Sequence, residues 1–371
     1  MPDIILSPIP YESGNVDWSY DRTALIRLTS TRFIYAFQQT NPYYVFFGIA
    51  DISGLKTGSA NVNYIQQRAY LDTWQQVRIW KISDNRFVQW DNSNDYFKIY
   101  DVSTDDFVEV ASGDPSIPPY DHDYSNGYTI IPKNDNEFYE VYVTGGSTSK
   151  VYQVNKVTFA DNDTSLNITG LGSYSSPNTI ASPRVGWQYD PSGNIFIKCY
   201  YSSWTGVESI MVLDPVSDTI TIPTNDPGYS RTVVSQIIPH SPTSIIGFQA
   251  DRTRWHYYDG STWTTINDPY AAHNGSTPYD GLAFDSTYSM QKTSQHEHAN
   301  WYARVHKLVS SSVWSTSQAT TNNLGLLLPD LSGEELYVYN NRFLDLYDPE
   351  TVIELYYESG QRWAIRTIFP G

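Results

Sequence analysis

Ile99-Tyr100-Asp101-Val102-Ser103-Thr104 is a phrase that this chain repeats. It returns as Val212-Leu213-Asp214-Pro215-Val216-Ser217, as Tyr257-Tyr258-Asp259-Gly260-Ser261-Thr262, and as Leu346-Tyr347-Asp348-Pro349-Glu350-Thr351. An apolar pair runs into Asp, then a turn residue, then a short hydroxyl or acidic stretch. That is the end of one strand and the tight turn into the next. The Asp carboxylate can accept backbone N–H groups two residues on, and Pro or Gly supplies the turn dihedrals. Asp51 in Ile49-Ala50-Asp51-Ile52-Ser53 fits an earlier rung of the same ladder, while the rungs near Asn155 and His306 have lost the Asp. A β unit recurring at a fixed period implies radial or linear repetition.

The residues around each phrase extend the unit. Val185–Tyr189 reads as a strand, Asp190–Asn194 as a hairpin turn, Ile195–Tyr201 as a second strand and Glu208–Leu213 as a third. Thr219–Ile222 is a fourth. The middle strands are almost continuously apolar, as burial on both faces requires, and the fourth alternates as a half-exposed edge does. Taking Phe33, Phe87, Phe138, Phe196, Ile246, Tyr288 and Leu336 as equivalent second-strand positions gives seven units, spaced about 50 residues apart. Helical periodicity is nearly absent, the best candidate being Tyr64–Trp74.

Seven four-stranded units over roughly residues 22–361 resemble a seven-bladed β-propeller, with the generic blade turn of kelch-like and quinoprotein-like propellers. The second strands lack the Gly-Gly pair of kelch blades, and the Gly-His…Trp-Asp signature of WD40 blades is absent. Tyr258–Trp263 is similar to the sialidase Asp box, once and with its Gly displaced. The fold class expected is therefore all-β: a propeller over residues 22–371 with an irregular N-terminal arm over residues 1–21. The left-over strand 363–368 is expected to close the ring by pairing into the first blade.

Composition bounds the function. Aromatics make up 15% of the 371 residues, with 31 Tyr and 11 Trp. The net charge of −17 argues against a nucleic-acid groove, which needs concentrated Lys and Arg, and against anionic membrane surfaces. Cys199 is the single cysteine and sits in a strand-like run, so it reads as a small buried hydrophobe. The start lacks a basic region followed by an apolar stretch, and no segment has the length of a membrane span, so neither a signal peptide nor membrane insertion is expected.

A search for chemistry yields no nucleophile elbow, P-loop or dinucleotide fingerprint, and no catalytic residue is assigned. Gly170-Leu171-Gly172 reads as a flexible polar connection. His296 and His298 share a face if extended, a spacing that can chelate a metal, with His306 or Asp285 as a third ligand; a polar hairpin loop is the plainer reading. Asp161 and Asp163, like Asp91–Asp95, offer alternate oxygen ligands that suit Ca²⁺ or ordinary Asx turns. Asp121-His122-Asp123 could supply a carboxylate pair for glycoside cleavage, or be a solvated loop. The reading assigns no cofactor. Aromatic loops are the more credible surface: Trp18 and Tyr20, Tyr201 and Trp204, and Trp255 and Tyr257 stand beside Ser, Asn and Gly, a composition suited to protein contacts or sugar stacking.

The expectation is a non-enzymatic interaction platform whose arm and loop faces contact other structural proteins of an assembly. The mix of one Cys, abundant Tyr, Asn, Ser and Thr, and degenerate repeats resembles that of bacteriophage virion proteins, on the tail or capsid exterior. That resemblance implies assembly in a host cytoplasm and location in the virion. A glycan-binding or glycan-cleaving propeller and a cytosolic scaffold propeller are the alternatives.

Overall fold

The computed structural model describes residues 4–5, 16–17, 23–29, 32–40, 43–51, 67–70, 78–91, 96–104, 106–115, 127–145, 150–176, 184–202, 206–222, 236–248, 254–267, 276–283, 288–295, 301–310, 313–321, 342–348, 351–358 and 362–368. The described residues are all β, and their strands group into seven antiparallel sheets. The first sheet holds Thr23–Arg27, Arg32–Thr40, Tyr43–Asp51 and Gln67–Tyr70, with Val16–Asp17 sharing the edge of Arg32–Thr40. The second holds Ile79–Lys81, Arg86–Asp91, Tyr96–Asp101 and Val108–Gly113; the third Tyr128–Asn134, Glu137–Thr144, Val151–Thr158 and Asn167–Ser175. The fourth holds Arg184–Tyr189, Ile195–Ser202, Gly206–Asp214 and Thr219–Thr221, and the fifth Gln236–Ser241, Ser244–Phe248, Arg254–Tyr258 and Trp263–Asn267. The sixth holds Ser276–Ala283, Tyr288–Gln295, Trp301–Ser310 and Val313–Thr321; the seventh Arg342–Asp348, Thr351–Glu358, Arg362–Ile368 and Ile4–Ile5.

These sheets are arranged as propeller blades. Successive first strands lie side by side: Thr23–Arg27 touches Ile79–Lys81, which touches Tyr128–Asn134, which touches Arg184–Tyr189, and Gln236–Ser241 touches Ser276–Ala283. The core is accordingly divided between sheets. Phe47 and Ile49 meet Phe87 and Tyr100 between the first and second. Trp80 and Phe97 meet Tyr128 and Phe138 between the second and third. Tyr139 and Tyr152 meet Trp187 and Cys199 between the third and fourth, and Phe196 and Ile210 meet Ile237 and Tyr258 between the fourth and fifth. Cys199 is the buried small hydrophobe expected. Large rings suit this job because each fills the gap between two sheets with few rotatable bonds; Phe47 of the first sheet meets Phe87 of the second with centroids 5.7 Å apart.

The fourth sheet follows the sequence unit closely. Its turn Asp190–Asn194 closes with Gly193 at φ 89°, a left-handed position that Gly adopts without steric cost. Its fourth strand is exposed at Thr219 and Thr221 and half-buried at Ile220.

Five expectations are corrected. The strand Arg362–Ile368 pairs with Thr351–Glu358 of its own sheet and with Ile4–Ile5, not with the first sheet, so the N-terminal residues come to the C-terminal sheet instead. The backbone of a terminal strand pairs with whichever edge the topology brings beside it, and here the pairing of Glu358 with Arg362 keeps Arg362–Ile368 local. Phe196 and Ile246 are each one residue out of register with Phe87: the residues opposite the one preceding the turn Asp are Phe87, Ile195 and Ile245. A one-residue slip moves a side chain to the other face, which is why Phe196 packs toward the fifth sheet and Ile195 toward the third. Residues 67–70, inside the helical candidate, form a strand. Gly170-Leu171-Gly172 lies within the outer strand Asn167–Ser175, where the register shifts between Val154 and Asn155; the glycines mark a bulge rather than a loop. Trp255–Tyr258 is strand, not loop. Leu336 lies outside the described residues.

Candidate functional site

The strands give the sheets two unlike ends. At one end lie the connections between first and second and between third and fourth strands; apart from residues 52–66 of the first sheet these are short, and several are Asp turns. Asp101 accepts the Ser103 amide at 2.9 Å and the Ser103 hydroxyl at 2.6 Å. Asp214 accepts the Val216 amide at 2.8 Å and the Ser217 hydroxyl at 2.7 Å. Asp259 accepts the amides of Ser261 and Thr262, each at 2.8 Å. In the third sheet, whose rung lacked the Asp, Asp163 accepts the Ser165 amide at 3.0 Å and supplies the same turn. Asp190 caps its hairpin through the amides of Ser192 and Asn194. Donation to the charged carboxylate favours ionisation. The Thr262 amide, with Ser261, holds the Asp259 carboxyl down at about 2; the Ser217 hydroxyl lowers that of Asp214 and the Ser165 hydroxyl that of Asp163.

The same end carries clamps between sheets. Arg86, 8% exposed, begins the second strand of its sheet. Its Nε donates to Asp101 at 3.0 Å, and Nη1 and Nη2 fork onto Asp161 of the third sheet at 2.8 and 3.0 Å. Nη1 also donates to the Asp135 carbonyl. A planar guanidinium suits this bidentate geometry. Arg32, at the corresponding position of the first sheet, donates to the Val102 carbonyl of the second, and Lys81 of the second donates back to the Leu28 carbonyl. Between the third and fourth sheets, Asp218 accepts from Lys133, from Lys156 at 2.7 Å and from the Tyr139 hydroxyl at 2.6 Å. Burial opposes ionisation of Asp218, but the donations from Lys133, Lys156 and Tyr139 outweigh it and hold its carboxyl at about 2. The Tyr139 hydroxyl is pushed up, by burial first and then by its bond to Asp218.

Deeper between the second and third sheets, Glu140 is fully buried. The Tyr128 hydroxyl donates to it at 2.6 Å and Asn155 Nδ2 at 3.3 Å. Burial, then the neighbouring Glu140, raises the Tyr128 hydroxyl well above its ordinary range.

The opposite end carries the connections between second and third strands, and from each fourth strand to the next sheet; those after Val108–Gly113 and Thr219–Thr221 are the longest at this end among the first five sheets. Several candidate residues map there. Tyr201 is in the last turn-ward residues of Ile195–Ser202, and Trp255 is second in Arg254–Tyr258. Trp18, Tyr20, Trp204, His296 and His298 lie outside the described residues, as do Asp121–Asp123; in sequence, Trp204 falls between Ile195–Ser202 and Gly206–Asp214, and the His pair between Tyr288–Gln295 and Trp301–Ser310. Three candidates are placed elsewhere. Tyr257 is mid-strand and 5% exposed, a core residue rather than a surface one. Asp161 is the Arg86 partner and Asp163 a turn cap, both at the tight end. Among the described residues no three His, Cys, Asp or Glu side chains converge as a metal-ligand set. Sequence reasoning missed Arg86, Asp218 and Glu140. Arg86 had one signal, the Arg-Phe pair shared with Arg32-Phe33.

No protein-family model matches this sequence, and no curated protein matches it. Solved structures resemble it in outline. The extracellular domain of the putative hybrid two component system BT4673 from B. thetaiotaomicron is 10% identical with a TM-score of 0.46, covering 99% of this chain, which spans 42% of that one. A functionally unknown protein from Desulfotomaculum acetoxidans DSM 771 is 10% identical with a TM-score of 0.44, over 95% of this chain and 100% of that one. The WD40 domain of SCAP from fission yeast is 8% identical with a TM-score of 0.41, over 99% and 98%.

Proposed function

We propose that this chain is a non-enzymatic structural platform, a closed seven-bladed propeller that makes protein–protein contacts through its long-connection end and its N-terminal residues. The observation that carries the reading is the asymmetry of the two ends. One end is spent on rigidity: Asp101, Asp161, Asp190, Asp214, Asp218 and Asp259 each hold backbone or a cation of the fold. The other end is where most of the longer connections, 52–66 excepted, and the candidate aromatics Tyr201, Trp204 and Trp255 fall in sequence. A rigid scaffold that presents variable loops at one end is the arrangement by which loops bind partners.

The setting we propose is a bacteriophage virion, on the tail or the capsid exterior. Only the sequence supports that setting: one Cys, abundant Tyr, Asn, Ser and Thr, and degenerate repeats. Cross-linking mass spectrometry on the intact particle or complex tests both. Cross-links from residues 1–21 and from the connections around 203–205 and 249–253 to other structural proteins are expected. Cross-links confined to the Asp-turn end, or glycan hydrolysis by the purified chain, would overturn the platform reading. Absence of the chain from purified particles would overturn the virion setting.

A further inference from the structure

We propose that this chain also associates with itself, head to tail, the outer strand Asn167–Ser175 of one copy pairing with the outer strand Val313–Thr321 of the next. The inference deepens the platform reading by naming one partner, a second copy. An outer strand presents a row of backbone N–H and C=O groups, and proteins blunt such edges by shortness, charge or cover. Among the described residues, most outer strands here are blunted. Gln67–Tyr70 is four residues long and carries Arg68; Thr219–Thr221 has three and Trp263–Asn267 five. Val108–Gly113 carries Glu109 and is covered: the Asn162 amide donates to the Val110 carbonyl at 2.5 Å, and the Ser112 amide to the Asp163 carbonyl at 3.1 Å. In the seventh sheet Ile4–Ile5 occupies the outer position.

Asn167–Ser175 and Val313–Thr321 depart from that pattern. Each has nine residues, neither contains a charged residue, and each ends its sheet. Asn167, Ile168, Thr169 and Gly170 are exposed in a row, Ile168 at 39%. The occupant follows from charge and shape. Two copies of a chain with net charge −17 repel wherever their charged surfaces meet, so uncharged edges are where they can approach. Both strands are rich in Ser and Thr, and hydroxyl and β-branched residues pair favourably across antiparallel strands.

The bulge decides against symmetric pairing of the whole of Asn167–Ser175 with itself; a two-fold centred on Thr169 would engage only residues 167–171. Ile168 stands opposite Val157, which faces the second sheet, whereas Tyr174 stands opposite Tyr152, which faces the fourth. A two-fold pairing centred on Leu171 would set residues of opposite faces against each other. Val313–Thr321 keeps an unbroken register with its neighbour from Trp314 to Thr321 and can continue the exposed stretch 167–170 as a regular strand. Pairing two different edges is heterologous and builds rings or open chains rather than a closed dimer.

Sedimentation velocity on the full chain over a range of concentrations tests the proposal, with Thr169→Lys on one edge and Thr316→Lys and Ser317→Lys, made separately because adjacent strand positions face opposite sides, on the other. Circular dichroism and thermal melting establish that each variant is folded. The wild type should show mass rising with concentration. Thr169→Lys, and at least one of the other two, should stay monomeric. An equimolar mixture of the two blocked variants should form dimers and nothing larger, since one intact edge of each kind remains. A wild type that stays monomeric overturns self-association while leaving the platform reading to the cross-linking experiment. A Thr169→Lys protein that still dimerises overturns the pairing of unlike edges.

Discussion

Arg86 concentrates the residue-scale logic of this fold. Its guanidinium is nearly buried, yet it satisfies Asp101 within its own sheet and Asp161 across the gap. Removing it leaves two carboxylates without their cation. Arg86→Ala should lower stability by about 2 kcal/mol, less than the 3–5 typical of fully buried pairs because water reaches Asp161; urea denaturation reads the change as a fall in midpoint. Arg86→Lys should recover only part of it, because an ammonium cannot fork onto Asp161. Asp218 makes a pH prediction. Its folded pKa, about 2, lies below its ordinary 3.8, so its contribution is fully present above about pH 4 and is lost as pH falls toward 2. Thermal melts of Asp218→Asn should therefore depend less on pH between 4 and 2 than those of the wild type, and equal slopes would refute the assignment. The turn aspartates were legible beforehand because their partners lie two or three residues away. Arg86, Lys133 and Glu140 were not: the partners of the first two stand 75 and 85 positions off and meet them only through the stacking of sheets, while Tyr128, 12 positions from Glu140, meets it through the register in which Tyr128–Asn134 pairs with Glu137–Thr144.

At the scale of elements, the turn between Val151–Thr158 and Asn167–Ser175 does more than reverse the chain. It lies along the edge of Val108–Gly113, bridging Ala111 to Asp163 and placing Leu166 against Gly113. A Cβ at Gly113 would come within 2.6 Å of Leu166 Cγ and 3.1 Å of the Leu166 amide nitrogen, so the side chain cannot simply swing clear. Gly113→Ala should lift the turn from the edge, costing about 1–3 kcal/mol. Hydrogen exchange at Ser112 and Asn162 should quicken while exchange at Ile99 stays slow; unchanged protection at Ser112 would refute the coupling. The strand pattern itself was readable from apolar runs and turn residues. Register was not. Phe196 and Ile195 are adjacent apolar residues, and when both faces of a strand are buried the periodicity that distinguishes them disappears. Only the pairing of Ile195 with Leu213 fixes which faces the third sheet.

At the scale of the molecule, the two termini share one sheet. Ile4 stands opposite Ile365 and Ile5 opposite Ala364, while Val16 and Asp17 pair with Gln39 and Gln38 of the first sheet. Residues 1–21, read from sequence as an arm for a partner, thus connect the last sheet to the first. The direction of this link was hidden because a two-residue strand has no periodicity to detect, whereas Trp363–Ile368 announces itself as a strand without saying which edge it joins. A short clasp between sheets distant in sequence closes a long loop, and its loss frees the seventh sheet without dismantling the clusters between the first five. Deleting residues 1–8 should therefore speed hydrogen exchange at Ala364 and Ile365 and lower the melting temperature, while amides of Ile197 and Met211 keep their protection below the melt. If Ala364 and Ile365 exchange no faster in the truncated chain, the clasp is not what holds the last sheet, and residues 1–8 are then free to serve the contacts first expected of them.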